Sequence, residues 1–189
     1  ILSKIVIMGD LNDDPTSPSL TKVLGAKGST DGLKEGGLYN PWFDFYKKRA
    51  VLVTGGAGFI GSHVVRALVE AGARVTILDN FSTGSIDTIA DIQHRISTIV
   101  GDITSAETCL KAAAGKSHIF HLAAAISVEE STRRPEKYMH INVDGTRNIM
   151  SAATSCRAAR VVFSSSAAVY GNQTGVCHEN LPPAPTSPY

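Results

Sequence analysis

The chain has 189 residues, a formal net charge of +1, and hydrophobic residues at 43% of its positions. This length suits one well-buried core, and the near-neutral charge gives no support for a nucleic-acid partner or an acidic membrane surface. The sequence has neither a signal peptide nor an apolar run of membrane-spanning length, and its three cysteines lack metal-type spacing, so we expect a cytoplasmic protein with reduced thiols.

The first 48 residues differ in character from the rest, and we predict that they form an N-terminal appendage. A strand is predicted at 5–8 and a short helix at 19–24. The Gly-Asp-x-Asn sequence after the strand could bring the Asp10 carboxylate and the Asn12 amide together, to orient a water or bind a divalent cation. An acidic turn is the simpler interpretation of these residues, and we favour it. The appendage would either cover an edge of the following sheet or be poorly ordered.

A glycine-rich turn follows the apolar run at 50–53 and leads into a predicted helix at 62–71. Such a turn brings backbone N–H groups and a helix N-terminus against a diphosphate. In this interpretation Gly55 permits the tight turn, Gly58 lets the backbone approach the phosphates, and Gly61 lets the helix pack closely on the sheet. The glycine spacing is G-x-x-G-x-x-G.

From residue 49 onward, predicted strands alternate with predicted helices, which indicates right-handed crossovers and a parallel sheet. We therefore expect an α/β fold, a Rossmann-type doubly wound sheet over 49–189 with strand order 3-2-1-4-5 and a ligand at the carboxyl ends of strands one and four. The predicted strands are at 51–54, 74–78, 97–100, 118–121 and 161–164, and the predicted helices at 62–71, 86–92, 106–113 and 135–156.

Polar or small residues follow several of these strands. Asp79 lies at the offset expected for a carboxylate that binds the adenosine ribose, and because it would repel a 2′-phosphate it favours NAD over NADP. Asp102 could accept from the adenine amino group while Ile103 covers the ring, although an ordinary Asp turn is an equal alternative. The small residues after His121 either leave room for the cofactor or serve only the packing of strand against helix. The three serines at 164–166 either bind a substrate hydroxyl or carbonyl or simply form a loop.

Together these motifs resemble the extended short-chain dehydrogenase/reductase family, in particular its NAD-dependent nucleotide-sugar epimerases and dehydratases. The resemblance covers 50–189 and implies NAD as the cofactor, a nucleotide sugar as the substrate, and a possible homodimer through 135–156. By the resemblance, Ser166 would hydrogen-bond the sugar hydroxyl and Tyr189 would remove its proton while a hydride passes to NAD. The implied cofactor-binding residues are Gly55, Gly58, Phe59, Ile60, Gly61, Asp79, Asn80, Asp102, Ile103, Leu122, Ala123, Ala124, Asn142 and Ser164.

Two alternatives stay open beside this one. The family has a Lys four residues after its catalytic Tyr, and this sequence ends at Tyr189, so a C-terminally truncated module that binds NAD without catalysis is one expectation. The other comes from residues 1–48, which resemble the endonuclease/exonuclease/phosphatase family. That resemblance would make Asp10 and Asn12 catalytic, in a metal-dependent phosphoesterase remnant joined to the second family near residue 48. The family's other metal-binding residues have no counterpart in matching context.

Overall fold

The chain forms one parallel six-stranded sheet with helices on both faces. The computed structural model describes residues 5–8, by their backbone alone, and residues 45–178 and 180–189. The strands lie in the order β1-β6-β5-β2-β3-β4, and every neighbouring pair is parallel. Counted from β2, the five strands of the alternating region follow the predicted order 3-2-1-4-5, which confirms the expected fold. The strands are β1 (Ile5–Met8), β2 (Ala50–Thr54), β3 (Arg74–Asp79), β4 (Ser97–Val100), β5 (His118–His121) and β6 (Arg160–Ser164).

A helix connects the strands at each position where the sequence predicts one, but several of the observed helices begin or end at other residues than predicted. The helix after the glycine turn begins at residue 59 rather than 62, and the predicted helix 135–156 contains a π-helical segment in its middle. The helices are α1 (Phe59–Glu70), α2 (Ala106–Ala113), α3 (Val128–Arg133), α4 (Pro135–Tyr138) and α5 (Gly145–Ser155), with 3-10 helices at Ile86–Arg95 and Ala167–Tyr170 and the π-helical segment at Met139–Asp144.

Two hydrophobic clusters cover the two faces of the sheet. Successive side chains of a strand point to opposite faces. Val51 and Val53 therefore pack on the α1 side, with Leu68 and Ile77, while Leu52 packs on the α2 and α5 side. Val51, Leu52 and Val53 are fully buried, as expected for a parallel sheet covered on both faces.

Residues just before β2 pack at the amino end of the sheet. Tyr46 is 3% exposed, with its ring centroid 5.5 Å from that of His118 and 5.9 Å from that of Phe120. The Arg49 guanidinium lies 4.4 Å from the centre of the Phe45 ring. Residues 45–48 thus pack against the alternating region, and the division of the chain near residue 48 stays a prediction.

The strand β1 lies along the outer edge of β6, with Val6 opposite Val162 and Met8 opposite Ser164. Residues 5–8 therefore cover an edge of the sheet, in agreement with one of the two expectations from sequence, while most of the predicted appendage lies outside the described residues. Asp10, Asn12 and the predicted helix at 19–24 lie outside the described residues. No helix among the described residues combines the length and hydropathy needed to cross a membrane.

Candidate functional site

The glycine turn after β2 has two features that only glycine meets easily. Gly55 has φ of +70°, and a Cβ there would lie 2.8 Å from the backbone nitrogen of Ala123. Its N–H donates to the Leu78 carbonyl at 2.9 Å, and the Gly58 N–H donates back to the Gly55 carbonyl at 3.1 Å. These bonds hold the turn between the carboxyl ends of β2, β3 and β5, as the role predicted for Gly55 requires.

The next two glycines differ in what surrounds them. A Cβ at Gly61 would overlap the carbonyl oxygen of Gly55. Gly61 therefore allows α1 to approach the turn itself, rather than the sheet as predicted from sequence. The close approach to the sheet occurs at Gly56, where a Cβ would lie 2.6 Å from Ile77 Cγ2. At Gly58 a Cβ would meet only the Gly55 carbonyl, at 3.3 Å, so the space in front of Gly58 is open.

This open space faces the beginning of α1. The N–H groups of the first helical residues have no acceptor within a helix, and the helix dipole adds partial positive charge there. Here those residues are Phe59, Ile60 and Gly61, while the Ser62 N–H already donates to the Gly58 carbonyl at 2.9 Å. Phe59 is 62% exposed, with its ring edge to face against that of His63, and Ile60 is half-buried, whereas Gly61 is buried. The arrangement suits an anionic group such as a diphosphate.

Asp79 lies at the end of β3 beside this turn and is only 8% exposed. One carboxylate oxygen accepts from the Ala57 N–H at 2.9 Å and the other from the Phe81 N–H at 2.8 Å. Each carboxylate oxygen has a second lone pair, so the side chain can still accept from a ligand. The two bonds fix the orientation of the carboxylate relative to the glycine turn.

Asn80 and Asp102 connect the ends of β3 and β4. The Asn80 amide donates to Asp102 at 2.7 Å, and the backbone and hydroxyl of Thr104 both donate to the other carboxylate oxygen at 2.8 Å. Burial raises the pKa of Asp102, but the hydrogen bonds from Thr104 and Asn80 outweigh it and hold the pKa below its usual value. Ile103 is 5% exposed and packs against Gly145 of α5, so little of its side chain is available to an adenine ring.

Side chains from neighbouring elements hold the loop after β5. The Thr54 hydroxyl accepts from the N–H groups of Leu122 and Ala123, both at 3.2 Å. Asn142, expected near the cofactor, uses its amide to bind the backbone N–H and carbonyl of Ala125, at 2.8 and 3.0 Å. Ala124, between these anchored residues, is exposed. Asn142 therefore fixes the backbone of the loop at 122–125, which forms one wall of the candidate site.

The predicted catalytic residues lie on the segment that follows β6. Ser164 ends the strand, and Ser166 caps the 3-10 helix by accepting from the Ala168 N–H at 3.2 Å. The tail returns to this helix, because the Ala184 N–H donates to the Val169 carbonyl at 2.8 Å. Tyr189 is half-buried in that tail, and the structure records no hydrogen bond between it and another described residue.

The sequence did not predict the side-chain hydrogen bonds of Thr54 and His121, although both residues contribute to the site. His121 is 1% exposed, and its ring nitrogens lie 2.7 Å from Thr54 Oγ1 and 2.9 Å from Thr146 Oγ1. Burial lowers the pKa of His121 to about 4. Nothing in the local sequence signals this contact, because Thr54 and Thr146 are far from His121 along the chain.

A doubly wound parallel sheet, a glycine turn into a helix N-terminus and an acid at the end of the next strand define a dinucleotide-binding domain. The family model described as "NAD dependent epimerase/dehydratase family" matches residues 51–189. Since that match covers most of the chain, the chain belongs to this family. The match confirms the resemblance predicted from sequence and NAD as the cofactor of the family.

Individual relatives agree with this assignment. UDP-glucose 4-epimerase 3 of Oryza sativa subsp. japonica is 38% identical over 151 residues, which are 74% of this chain and 40% of the relative. The structure of a UDP-N-acetylglucosamine 4-epimerase from Methanobrevibacter ruminantium, in complex with UDP-N-acetylmuramic acid, matches with a TM-score of 0.71 at 39% identity, over 76% of this chain and 46% of that one. A Thermus thermophilus UDP-glucose 4-epimerase in complex with NAD matches with a TM-score of 0.68 at 33% identity, over 74% and 46%. This chain thus spans about two fifths of the curated relative.

A second family model, described as "Endonuclease/Exonuclease/phosphatase family", matches residues 2–56. This agrees with the resemblance expected for residues 1–48, and it overlaps the first match within β2 and the start of the glycine turn. Its predicted catalytic residues, Asp10 and Asn12, lie outside the described part of the chain.

Proposed function

We propose that this chain binds NAD at the carboxyl ends of β2, β3 and β5, as part of a UDP-glucose 4-epimerase-like enzyme that acts on a nucleotide sugar. The observation that carries the proposal is the open space at Gly58, bounded by the first turn of α1. Apart from its chain neighbours, the one described atom within 4 Å of a Cβ placed at Gly58 is the Gly55 carbonyl oxygen, at 3.3 Å, so the space beyond that contact is open. A diphosphate at the helix N-terminus would occupy this space.

The adenosine end of the cofactor would lie toward Asp79 and Asn80. The orientation of Asp79 by Ala57 and Phe81 leaves acceptor capacity for the ribose hydroxyls. Its negative charge would repel the 2′-phosphate of NADP, and the sequence from 80 to 84 contains no Arg or Lys to offset that repulsion. These features support NAD over NADP as the cofactor.

For the chemical step, NAD supplies the hydride acceptor when it is bound. We propose that the Ser166 hydroxyl hydrogen-bonds the sugar hydroxyl and that the Tyr189 phenolate accepts its proton. Support comes from the position of Ser166 just after β6, at the same edge of the sheet as the carboxyl ends of β2, β3 and β5. The Ala125 loop, held by Asn142, would form the opposite wall and exclude water from the reacting carbon.

We also propose a homodimer contact through 135–156, on which Met139 and Val143 are exposed apolar residues. Multi-angle light scattering that finds only monomer at high concentration would remove this contact. A cytoplasmic location and a domain boundary near residue 48 remain proposals of the same kind. The location is supported by the three free cysteines, Cys109, Cys156 and Cys177.

Calorimetric titration with NAD and NADP tests the central proposal. We expect the chain to bind NAD more tightly than NADP. Gly58→Val should abolish binding, because its side chain would occupy the phosphate position. Its circular dichroism spectrum should stay close to that of the parent chain, and the loss of the glycine N-cap should lower its thermal midpoint by about 2–4 °C. NAD binding to Gly58→Val with unchanged affinity would refute the site.

A further inference from the structure

We propose that His121, in the neutral form with its proton on Nε2, is a positioning residue that connects three elements around the proposed NAD site. It lies at the end of β5, between the end of β2 and the first turn of α5. Neither the family assignment nor the proposed roles of the site residues include it.

The other hydrogen bonds of the Thr54 hydroxyl determine which partner donates in its contact with His121 Nδ1. A Thr hydroxyl has two acceptor lone pairs and one proton. Here the two acceptor positions are used by the N–H groups of Leu122 and Ala123, at 3.2 Å each, the first of them shared with the Thr54 carbonyl. The hydroxyl proton is therefore left for His121 Nδ1, at 2.7 Å.

The rest of the arrangement follows from that direction. Because Nδ1 accepts, the proton of the neutral ring is on Nε2, which donates to Thr146 Oγ1 at 2.9 Å. The ring is 1% exposed, and the centre of the Phe163 ring of β6 lies 5.7 Å from its centre. The two hydrogen bonds and the ring contact of His121 thus involve no charged group. A neutral imidazole with one acceptor and one donor nitrogen satisfies both neighbours, which a protonated ring could not do.

The consequence for the site is geometric. Thr54 immediately precedes the glycine turn, which forms one wall of the proposed NAD site. Leu122 and Ala123 begin the loop after β5, which forms the other wall. The imidazole fixes the rotamer of the Thr54 hydroxyl that accepts from that wall, and Thr146 ties both to α5. The buried ring, in a defined tautomer, thus reinforces the direct bonds by which Thr54 holds Leu122 and Ala123 beside the glycine turn.

Nitrogen-15 NMR of the histidine-labelled chain, recorded without NAD at neutral pH, tests the assignment directly. We expect His121 to be neutral, with a protonated Nε2 and an unprotonated Nδ1. A protonated ring, or a proton on Nδ1, would overturn the inference without any variant having to fold.

Thr146→Val and Thr146→Ser form a matched pair for the positioning role. Valine leaves the buried Nε2–H without an acceptor, so we expect a mixed tautomer, faster amide exchange at Leu122 and Ala123, and NAD binding weaker by about tenfold. Serine keeps the hydroxyl and should restore all three properties. Equal tautomer populations and exchange rates in the two variants would contradict the role.

The affinity measurement rests on the proposed NAD site, whereas the tautomer and exchange measurements do not. Failure of the parent chain to bind NAD, with the expected tautomer and exchange intact, would refute the proposed function and leave the positioning of the two walls supported.

Discussion

Acidification should destabilise this fold between about pH 7 and pH 5, because two of its histidines are buried. His121 is buried in its neutral form with a pKa lowered to about 4 from an ordinary value of 6.5, and burial is the cause. In the unfolded chain the same ring is exposed and has its ordinary pKa. Between these two values, the unfolded state binds a proton that the folded state does not.

The sign and size of the effect follow from this difference. A lowered folded-state pKa means that stability is complete above about pH 6.5 and is lost as the pH falls toward the folded value. For His121 alone, the free energy of unfolding should fall by about 2 kcal/mol between pH 7 and pH 5. Burial, with Arg49 and Arg160 nearby, also lowers the pKa of His118 to about 4, so His118 adds a similar contribution.

Urea denaturation at several pH values between 7 and 5 measures this dependence. The parent chain should lose stability with a slope approaching two protons, and His121→Asn and His118→Asn should each reduce that slope by about one. Asp102, Asp91 and Glu130 have lowered pKa values and titrate below this range, so they do not obscure the result. A His121→Asn slope equal to that of the parent would show that His121 is not buried in its neutral form.

Three further predictions concern the turn, the cofactor preference and the sheet edge. Gly61→Ala should destabilise the fold by about 2 kcal/mol in urea, because its Cβ overlaps the Gly55 carbonyl oxygen. Gly58→Ala should cost less, about 1 kcal/mol or below, because its Cβ meets the same oxygen at 3.3 Å and Ala is a poorer N-cap than Gly; equal losses would contradict the difference between the two positions. Asp79→Asn removes the charge that repels a 2′-phosphate, so the ratio of NADP to NAD affinity should rise in competitive titration, and an unchanged ratio would argue against that role. Prolines at both Val6 and Ile7 remove at least one N–H donor from the β1–β6 pairing and should accelerate amide exchange in β6; unchanged rates would show that β1 does not protect that edge.

The sequence was sufficient for those parts of the fold that depend on local patterns. Strands at 97–100 and 118–121 and the helix at 106–113 occur where they were predicted, and in the structure Ser105 caps that helix. Apolar runs with clear ends and a capping serine are local signals. The π-helical segment at Met139–Asp144 was not predicted, because it changes hydrogen-bond spacing without removing the hydrophobic periodicity.

Site residues were predictable by position but not by contact. Gly55, Gly58 and Asp79 were found from their spacing, and the structure places them together. The close approach to the sheet that was predicted for Gly61 occurs at Gly56. Which glycine makes it depends on the atom of another element that lies within about 3 Å, and a sequence does not contain that distance.

The polar groups around the site separate into two sets with different functions. Thr54, His121 and Asn142 bind protein groups and fix the loop after β5, while the first turn of α1 begins directly after Gly58, beside which space is open. A site assembled in this way spends little free energy on ordering itself when a ligand arrives, since its walls are already held by buried hydrogen bonds. Loss of one of these buried hydrogen bonds should therefore weaken NAD binding by displacing the loop after β5. A side chain at Gly58 should instead prevent NAD binding by occupying the volume of the ligand. The two kinds of variant, Thr146→Val and Gly58→Val, are distinguished by amide exchange without ligand, which only the first should alter.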